Sequence, residues 1–340
     1  MQRRNVVLSA VFALAVLMWS SAAMAQYQLT DLVSNQSGQA KHTDPLLVNA
    51  WGLVYAPGSP FWISDNGSGW STLYSGSGVA QSLQVVIPSA SGAGPGSPTG
   101  IVFNGSSEFN IQKSTAFFLF ATLDGTISGW APGVNPNLAL VAVNNSGAGA
   151  VYTGLAITSN ASGNHLFAAD TANGKVDIYD GNFNLTGTFT DPTVPAGFTP
   201  FGIADLNGLV YVSFASSSGK AGGFIDIVSE QGTFLKRLTQ GGPLNQPWGF
   251  AAAPSNFGPL SNALLISNNT NNGVINGFNA ITGKFVGTIK DTNGKAIVIN
   301  QLWALDFGGG SSINGATNQL FFTAGPNNNK SGTFGMITFK

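Results

Sequence analysis

NAWGLVYAP at residues 49–57 and QPWGFAAAP at residues 246–254 repeat one pattern in distant parts of the chain. Each stretch has an uncharged polar residue, then tryptophan and glycine, an apolar run and a proline. Such self-similarity is typical of a repeated structural unit. The equivalent point recurs four more times, and neighbouring points are 47 to 55 residues apart. The six marked positions are Trp51, Thr99, Thr153, Phe201, Trp248 and Trp303.

The rest of each repeat has a constant order. A strongly apolar run, such as FWISD at residues 61–65, is followed by a turn rich in Gly and Asn and by a more amphipathic run. Five repeats add a fourth, polar run, whereas the sixth ends after its third. Four antiparallel strands in a unit of about 40 to 50 residues are typical of a propeller blade. The sequence therefore predicts an all-β fold, a six-bladed β-propeller.

The stretch YQLTDLV at residues 27–33 precedes the first repeat and belongs to no blade of its own. We expect it to supply the missing fourth strand of the last blade. An open ring would leave two unpaired sheet edges, and an N-terminal strand borrowed by the last blade removes them.

The composition excludes several classes of function. Only 8% of the 340 residues are charged, against about 25% in an average soluble domain. With 13 basic and 14 acidic residues no basic patch for nucleic acid is expected. The chain has no cysteine, so disulfides and thiol chemistry are excluded.

The first 25 residues differ from the rest. Arg3 and Arg4 precede an apolar run at residues 6–17, and the small-residue sequence AMA at residues 23–25 suits a cleavage site. The run is too short for a membrane span, which needs about 20 residues. We therefore predict a signal peptide at residues 1–25 and one propeller domain at 26–340. The mature protein is expected to be secreted or periplasmic, without membrane association.

Polar residues are predicted to ring one mouth of the central channel, where the inner strands begin and the second strands end. They could bind a ligand; alternatively, the amides tie neighbouring blades together and the acids stabilise turns. The candidates for this site are Asn49, Gln246, Gln301, Asp170, Asp65, Asp44 and His42.

Metal and cofactor chemistry has little support in the sequence. His42 and His165 are the only histidines and are expected on opposite faces, so a histidine site for a transition metal is not expected. Calcium held by Asp, Asn and backbone carbonyls stays compatible with the composition. No other cofactor is expected, and the spacing shows no catalytic triad.

Several longer motifs carry a family resemblance, among them FATLDGTISGW at residues 120–130 and LWALDFGGG at residues 302–310. With them the chain resembles exported bacterial and fungal proteins predicted as six-bladed propellers related to NHL repeats, some with a C-terminal PEP-type sorting tag. That family has no agreed activity. By this resemblance, seven residues fall on motif positions of the family: Asp44, Asn49, Trp51, Asp124, Asn245, Trp248 and Trp303.

Three functions follow as hypotheses. The first is a binding or scaffold protein whose channel mouth contacts a polar small molecule, a glycan, or a peptide or protein partner. The second is a metal-assisted lactonase or lyase that uses Asp44, Asp65 or Asp170 as ligand or base. The third is a structural component of a surface layer or matrix.

Overall fold

The computed structural model describes residues 26–92, 94–160 and 163–340. The expected signal segment, residues 1–25, lies outside them. Six four-stranded antiparallel blades follow one another along the chain, apart from the N-terminal strand of the last, and a short parallel strand extends the sheet of that last blade. The prediction of a six-bladed all-β propeller is confirmed.

The strands of each blade run from the axis outward in chain order in blades 1 to 5. Blade 1 comprises Ala50–Tyr55, Phe61–Asp65, Trp70–Tyr74 and Ala80–Val86. Blade 2 comprises Pro98–Phe103, Phe118–Thr122, Thr126–Trp130 and Leu140–Asn144, with a small added hairpin of Asn110–Ile111 and Ser114–Thr115. Blade 3 comprises Tyr152–Asn160, Gly163–Asp170, Lys175–Asp180 and Leu185–Phe189. Blade 4 comprises Phe198–Leu206, Leu209–Ser216, Phe224–Ser229 and Phe234–Gln240. Blade 5 comprises Pro247–Ala252, Leu264–Asn268, Ile275–Phe278 and Phe285–Thr288.

Among the described residues, helical structure is limited to short turns at Ser146–Ala148, Gly258–Leu260 and Pro326–Asn329. None of the helices formed by the described residues has the length and apolar character needed to cross a bilayer.

Blade 6 joins the two ends of the chain. Its strands Leu302–Phe307, Gln319–Ala324 and Thr333–Phe339 are completed by Tyr27–Ser34, which pairs antiparallel with the last of them. The Tyr27 hydroxyl also donates to the carbonyl of Phe257 in blade 5, at 2.7 Å. The predicted closure by the N-terminal strand is therefore present, and it seals the edge of blade 6.

In blades 1 to 5 the outermost strand is the least buried of the four. All five residues of the second strands Phe61–Asp65, Phe118–Thr122 and Leu264–Asn268 are buried, because neighbouring blades cover both of their faces. The outermost strand of blade 5, Phe285–Thr288, has no buried residue. This difference explains why the second strands are continuous apolar runs and the fourth strands are polar.

The glycines after the marked positions permit close contact between blades. A Cβ on Gly52 would overlap the carbonyl oxygen of Thr99, and one on Gly249 would overlap that of Trp303. Glycine at both positions therefore allows a close backbone approach near the axis.

Hydroxyl groups on first or second strands join neighbouring blades by bonding to the inner strand of the next blade. At five blade junctions a buried Ser or Thr donates to a carbonyl of the next blade, at 2.5 to 2.7 Å. The pairs are Thr99 with Tyr152, Thr153 with Phe201, Ser213 with Pro247, Ser267 with Trp303, and Thr323 with Trp51. Ser64 occupies the equivalent second-strand position in blade 1, and its buried hydroxyl has no partner among the described residues.

Candidate functional site

Three tryptophans meet where the inner strands converge. The rings of Trp51 and Trp303 are stacked with centroids 3.6 Å apart, and Trp248 contacts both edge-on at 6.3 and 5.7 Å. All three are at most 8% exposed. Since blades 1 and 5 are not neighbours, the rings lie across the axis instead of in the wedges between adjacent blades. This cluster, the tryptophan plug, closes the channel just inside the predicted mouth.

The indole nitrogens fix the plug to other blades. Trp248 Nε1 donates to the carbonyl of Thr153 in blade 3 at 2.9 Å, and Trp303 Nε1 donates to Asn49 Oδ1 at 3.0 Å. Trp51 Nε1 is buried without a partner among the described residues. The plug is thus attached to blades 1 and 3 by hydrogen bonds.

Asn49 is part of the plug's support. Its Oδ1 accepts the bond from Trp303, and its Nδ2 donates to Asn66 Oδ1 at 3.0 Å. Asn66 in turn donates to the carbonyl of Pro98 in blade 2. Together with Asn66, the Asn49 amide therefore connects blades 6, 1 and 2. Because Asn49 is only 4% exposed, it presents little surface to a ligand.

Gln246 and Gln301 share the backbone of Asn49 but not its burial. The φ angles of Asn49, Gln246 and Gln301 are 50°, 52° and 52°, all in the left-handed region. Gln246 Nε2 donates to the carbonyl of Lys220, and Gln301 Nε2 to Asn271 Oδ1. Both glutamines are half-buried, so part of each side chain stays accessible on this face.

Asp44 and His42 lie away from the axis. Asp44 accepts from the backbone N–H of Leu46 and from the Tyr74 hydroxyl, each at 2.9 Å. His42 is exposed in the two-residue strand His42–Thr43, which pairs with the outer strand Tyr27–Ser34 of blade 6. The structure therefore places His42 on the rim of the ring, four strands out from the inner strand, and not at the predicted mouth.

Asp65 is a fully buried acid in blade 1. Neither carboxylate oxygen has a hydrogen-bond partner among the described residues, and the same is true of the buried Thr72 hydroxyl. Burial raises the pKa of Asp65 well above its usual value, and the nearby Asp44 carboxylate raises it further. Burial without a hydrogen bond therefore favours the protonated form of Asp65 more than water does.

Asp170 stabilises a turn in blade 3. Its Oδ1 accepts from the backbone N–H groups of Val151 and Asn173, and its Oδ2 accepts from Asn173 Nδ2 at 2.7 Å. Both oxygens are already bonded within the fold.

These acids do not form a metal site. Asp170 is in blade 3, whereas Asp44 and Asp65 meet at the blade 1 and 6 junction, and within the described part of the chain no three His, Cys, Asp or Glu side chains cluster to hold a metal ion. The donor set thus does not fit the divalent ion considered for a metal-assisted enzyme.

A cavity of about 340 Å³ lies on the other side of the tryptophan plug. Trp248 forms part of its boundary, and residues of all six inner strands form its walls. The lining residues are 52–55, 100–103, 155–157, 203–206, 248–250 and 304–306. This channel cavity opens toward the face opposite the predicted mouth, which the sequence did not indicate as a site.

The channel cavity contains two acids in an apolar wall. Burial raises the pKa of Asp306 to about 7. Burial, reinforced by the nearby Glu230 carboxylate, raises the pKa of Asp205 to about 6. Burial and the Asp306 charge also raise the pKa of Tyr55 to about 12. Perturbed groups converging in a cleft are a common property of functional sites.

The sequence did contain a signal for these acids. Each interrupts an apolar inner strand, Asp205 in GIADL and Asp306 in WALDFG. An acid inside an inner strand faces either a neighbouring blade or the channel, and both positions need a reason.

Comparisons with known proteins support the fold. No family model matches the chain. In structure it is similar to a gluconolactonase from Xanthomonas campestris (TM-score 0.56, 14% identity, 86% of each chain covered) and to a streptogramin B lyase (TM-score 0.56, 13% identity, 94% of this chain and 100% of the other). It is also similar to the WD40 propeller of Doa1 (TM-score 0.50, 11% identity, 91% and 96% covered). At these identities the likeness shows the fold alone.

Relatives by sequence come from Acanthamoeba polyphaga mimivirus. The uncharacterized protein R648 is 30% identical over 93% of this chain and 81% of its own length. The uncharacterized protein L690 is 28% identical over 83% of this chain and 79% of its own length. These viral relatives give no support to the bacterial and fungal origin, or to the sorting tag, that the resemblance implied. The chain belongs to the family of the mimivirus protein R648.

Proposed function

We propose that this chain is a secreted, NHL-like propeller that acts as a binding protein and holds a small polar ligand in the channel cavity. The cavity of about 340 Å³, built from all six blades, is the observation that carries the proposal. It is at the lower end of the size range of ligand pockets, which suits a small molecule better than a glycan or protein chain. Secretion is supported by the sequence pattern of residues 1–25.

The rigidity of the site favours binding. The cavity walls belong to inner strands joined by buried hydroxyl bonds, and the tryptophan plug closes one end. A ligand site that is largely formed before binding costs little conformational entropy when it is occupied.

Filling the cavity tests the proposal. Ala204 lines the cavity and is half-buried, whereas Ala252 is exposed at the end of the neighbouring inner strand and does not line it. Small molecules that raise the melting temperature of residues 26–340 should lose this effect in Ala204→Phe and keep it in the matched control Ala252→Phe.

Binding at the predicted mouth, on the opposite face, would contradict the proposal. If ligands bind Ala204→Phe normally but not the variants Gln246→Ala and Gln301→Ala, the site is at the predicted mouth and the cavity proposal fails. Glycan and peptide arrays should be probed with the same four variants, since those ligands are the other partners that the polar mouth suits.

A lactonase or lyase is the second candidate. The specific observation in its favour is Asp306, since a carboxyl with a pKa of about 7 can exchange a proton near neutral pH. Turnover of a lactone panel by the purified chain, abolished in Asp306→Asn and retained in Ala252→Phe, would establish it.

A further inference from the structure

The channel cavity combines aromatic rings with carboxyl groups. Tyr55, Phe103, Trp248 and Phe250 are among its lining residues. Ring faces attract organic cations, and aromatic residues are the usual walls of quaternary-ammonium sites.

The polar side chains of the lining are few and of one kind. Apart from Tyr55 and the indole N–H of Trp248, which is already bonded to Thr153, they are the two acids Asp205 and Asp306. No lysine or arginine is among the described residues that line the cavity. Any charge in the lining is therefore negative.

Neither acid has a cationic partner in the part of the chain that the structure describes. The ion pairs found among the described residues are Lys175 with Asp177 and Arg237 with Asp191 and Asp226, so they involve no lining residue. Asp205 Oδ1 is buried without a hydrogen-bond partner. A carboxylate in a partly apolar cavity without a counter-ion is unfavourable unless it is protonated or a cation binds beside it.

We propose that the channel cavity binds an organic ammonium ion, with its cationic head beside Asp306 or Asp205 and its apolar body against the aromatic rings. This inference rests on the proposed binding function and names the ligand class of the same cavity. The two acids are on blades 4 and 6, with blade 5 between them.

Other ligand classes fit less well. An anion would meet two acids and no basic group. A sugar needs many hydrogen-bonding partners, and most of this wall is aliphatic or aromatic. A bare calcium ion needs six or more oxygen ligands, more than two carboxyls and one phenol supply. An ammonium ion with an apolar body uses both the charge and the rings.

Proton release should accompany binding. An ammonium ion favours the ionised carboxylate, so binding at pH 6 displaces protons from Asp306 and Asp205. Glu230 near Asp205 and Tyr55 near Asp306 are the other titratable groups at these acids. Affinity should therefore rise from pH 5 to pH 8, as the two acids ionise.

Choline and its matched analogues provide the probes. The neutral carbon isostere of choline has the same shape without the charge, and the corresponding carboxylate reverses it. Isothermal titration of residues 26–340 should show choline or benzyltrimethylammonium binding with a Kd below about 1 mM. The carbon isostere should bind about tenfold more weakly, and the carboxylate should not bind.

Variants locate the binding. Asp306→Asn and Asp205→Asn should each weaken ammonium binding, the more important acid by about tenfold. Asp180→Asn, an acid in an outer turn of blade 3, is the matched control and should not change it. Circular dichroism and melting curves of all variants show that the ring is intact.

The two failures are distinguishable. If the neutral isostere binds as tightly as choline and Ala204→Phe abolishes both, the cavity is a ligand site and the ammonium inference is overturned. If choline binds but neither acid variant weakens it, the inference is again overturned. If no compound of a broad library stabilises the protein through the cavity, the proposed function itself fails.

Discussion

The indole ring of Trp51 stacks on that of Trp303, with centroids 3.6 Å apart and planes inclined by 20°. These residues belong to the first and last inner strands, so the stack joins the two ends of the ring. The Thr323 hydroxyl, which donates to the carbonyl of Trp51, supports the same junction. Packing at the axis and strand pairing at the rim therefore close the ring together.

Removing the plug should be costly. Trp303→Ala should lower the free energy of unfolding by about 3 to 5 kcal/mol, as loss of a large core aromatic does. Chemical denaturation monitored by circular dichroism measures it. Trp70, which is half-buried at the start of a third strand, is the comparison, and Trp70→Ala should cost less than half as much. Equal losses would show that the plug contributes nothing special.

The variants Asn49→Ala and Gln301→Ala should differ in stability although the two residues have the same backbone conformation. Alanine has similar backbone strain at φ 50° and 52°, so Asn49→Ala and Gln301→Ala can be compared for the side-chain bonds that each variant loses. Asn49→Ala leaves the buried Trp303 Nε1 without its acceptor, and we expect it to be less stable by about 1 to 3 kcal/mol. Equal urea midpoints for the two variants would show that the hydrogen bond from Trp303 to Asn49 does not stabilise the ring.

Deletion of Tyr27–Ser34 should destabilise the whole ring. It exposes the edge of Thr333–Phe339 and removes the buried Tyr27, Leu32 and Val33. The shortened chain should melt at a lower temperature or aggregate. A peptide of residues 26–34 should restore stability, and one with Leu32→Asp and Val33→Asp should not. Unchanged melting without the strand would disprove the closure argument.

Asp65→Asn should change the pH dependence of stability. Because the folded pKa of Asp65 is raised above its unfolded value of about 4, the folded state holds an extra proton above that pH, and stability falls as pH rises. The variant should match the natural chain near pH 3 and become increasingly more stable than it toward pH 7.

Asp180 gives the opposite sign. Despite some burial, hydrogen bonds from Asn184 and Asn182 lower the pKa of Asp180. Asp180→Asn should therefore be less stable than the natural chain above pH 4, and the difference should shrink as pH falls below 4 through the lowered pKa of Asp180. Melting curves from pH 3 to 7 test both acids, and parallel curves for Asp65→Asn and the natural chain would overturn the first expectation.

The number of blades could be predicted because the repeat is visible in the order of residue types along the chain. Each marked position with its glycine serves the same packing need, so the pattern recurs at a nearly constant period. The closing strand followed from counting strands, since the sixth repeat lacked one. His42–Thr43 escaped prediction because a two-residue strand has no periodicity.

The channel cavity could not be predicted because of irregular strand register. A register shift occurs near the marked position of every inner strand pair, for example between Ala50 and Leu53 and between Leu302 and Leu305. Such a shift changes which later side chains face the axis, and simple alternation cannot follow it. Asp306 lies directly beyond one of these shifts.

The sequence contains a partial indication that the tryptophans reach across the axis. Tryptophan marks blades 5, 6 and 1, whereas Thr99 and Thr153 mark blades 2 and 3. Small residues on one side of the ring leave room for large ones from the other, and Trp248 reaches Thr153 through that room. A repeat pattern that treats the six marked positions as equivalent does not show this complementarity of side-chain volumes.

The pairing of Tyr27–Ser34 with Thr333–Phe339 has a consequence for biosynthesis. The ribosome makes the first of these strands at the start of the propeller and the second at its end. The earliest strand therefore has no partner until translation is complete, and its apolar face needs protection during that interval. Chaperone dependence during synthesis should consequently be a property of the intact chain, relieved when Tyr27–Ser34 is moved to follow Lys340.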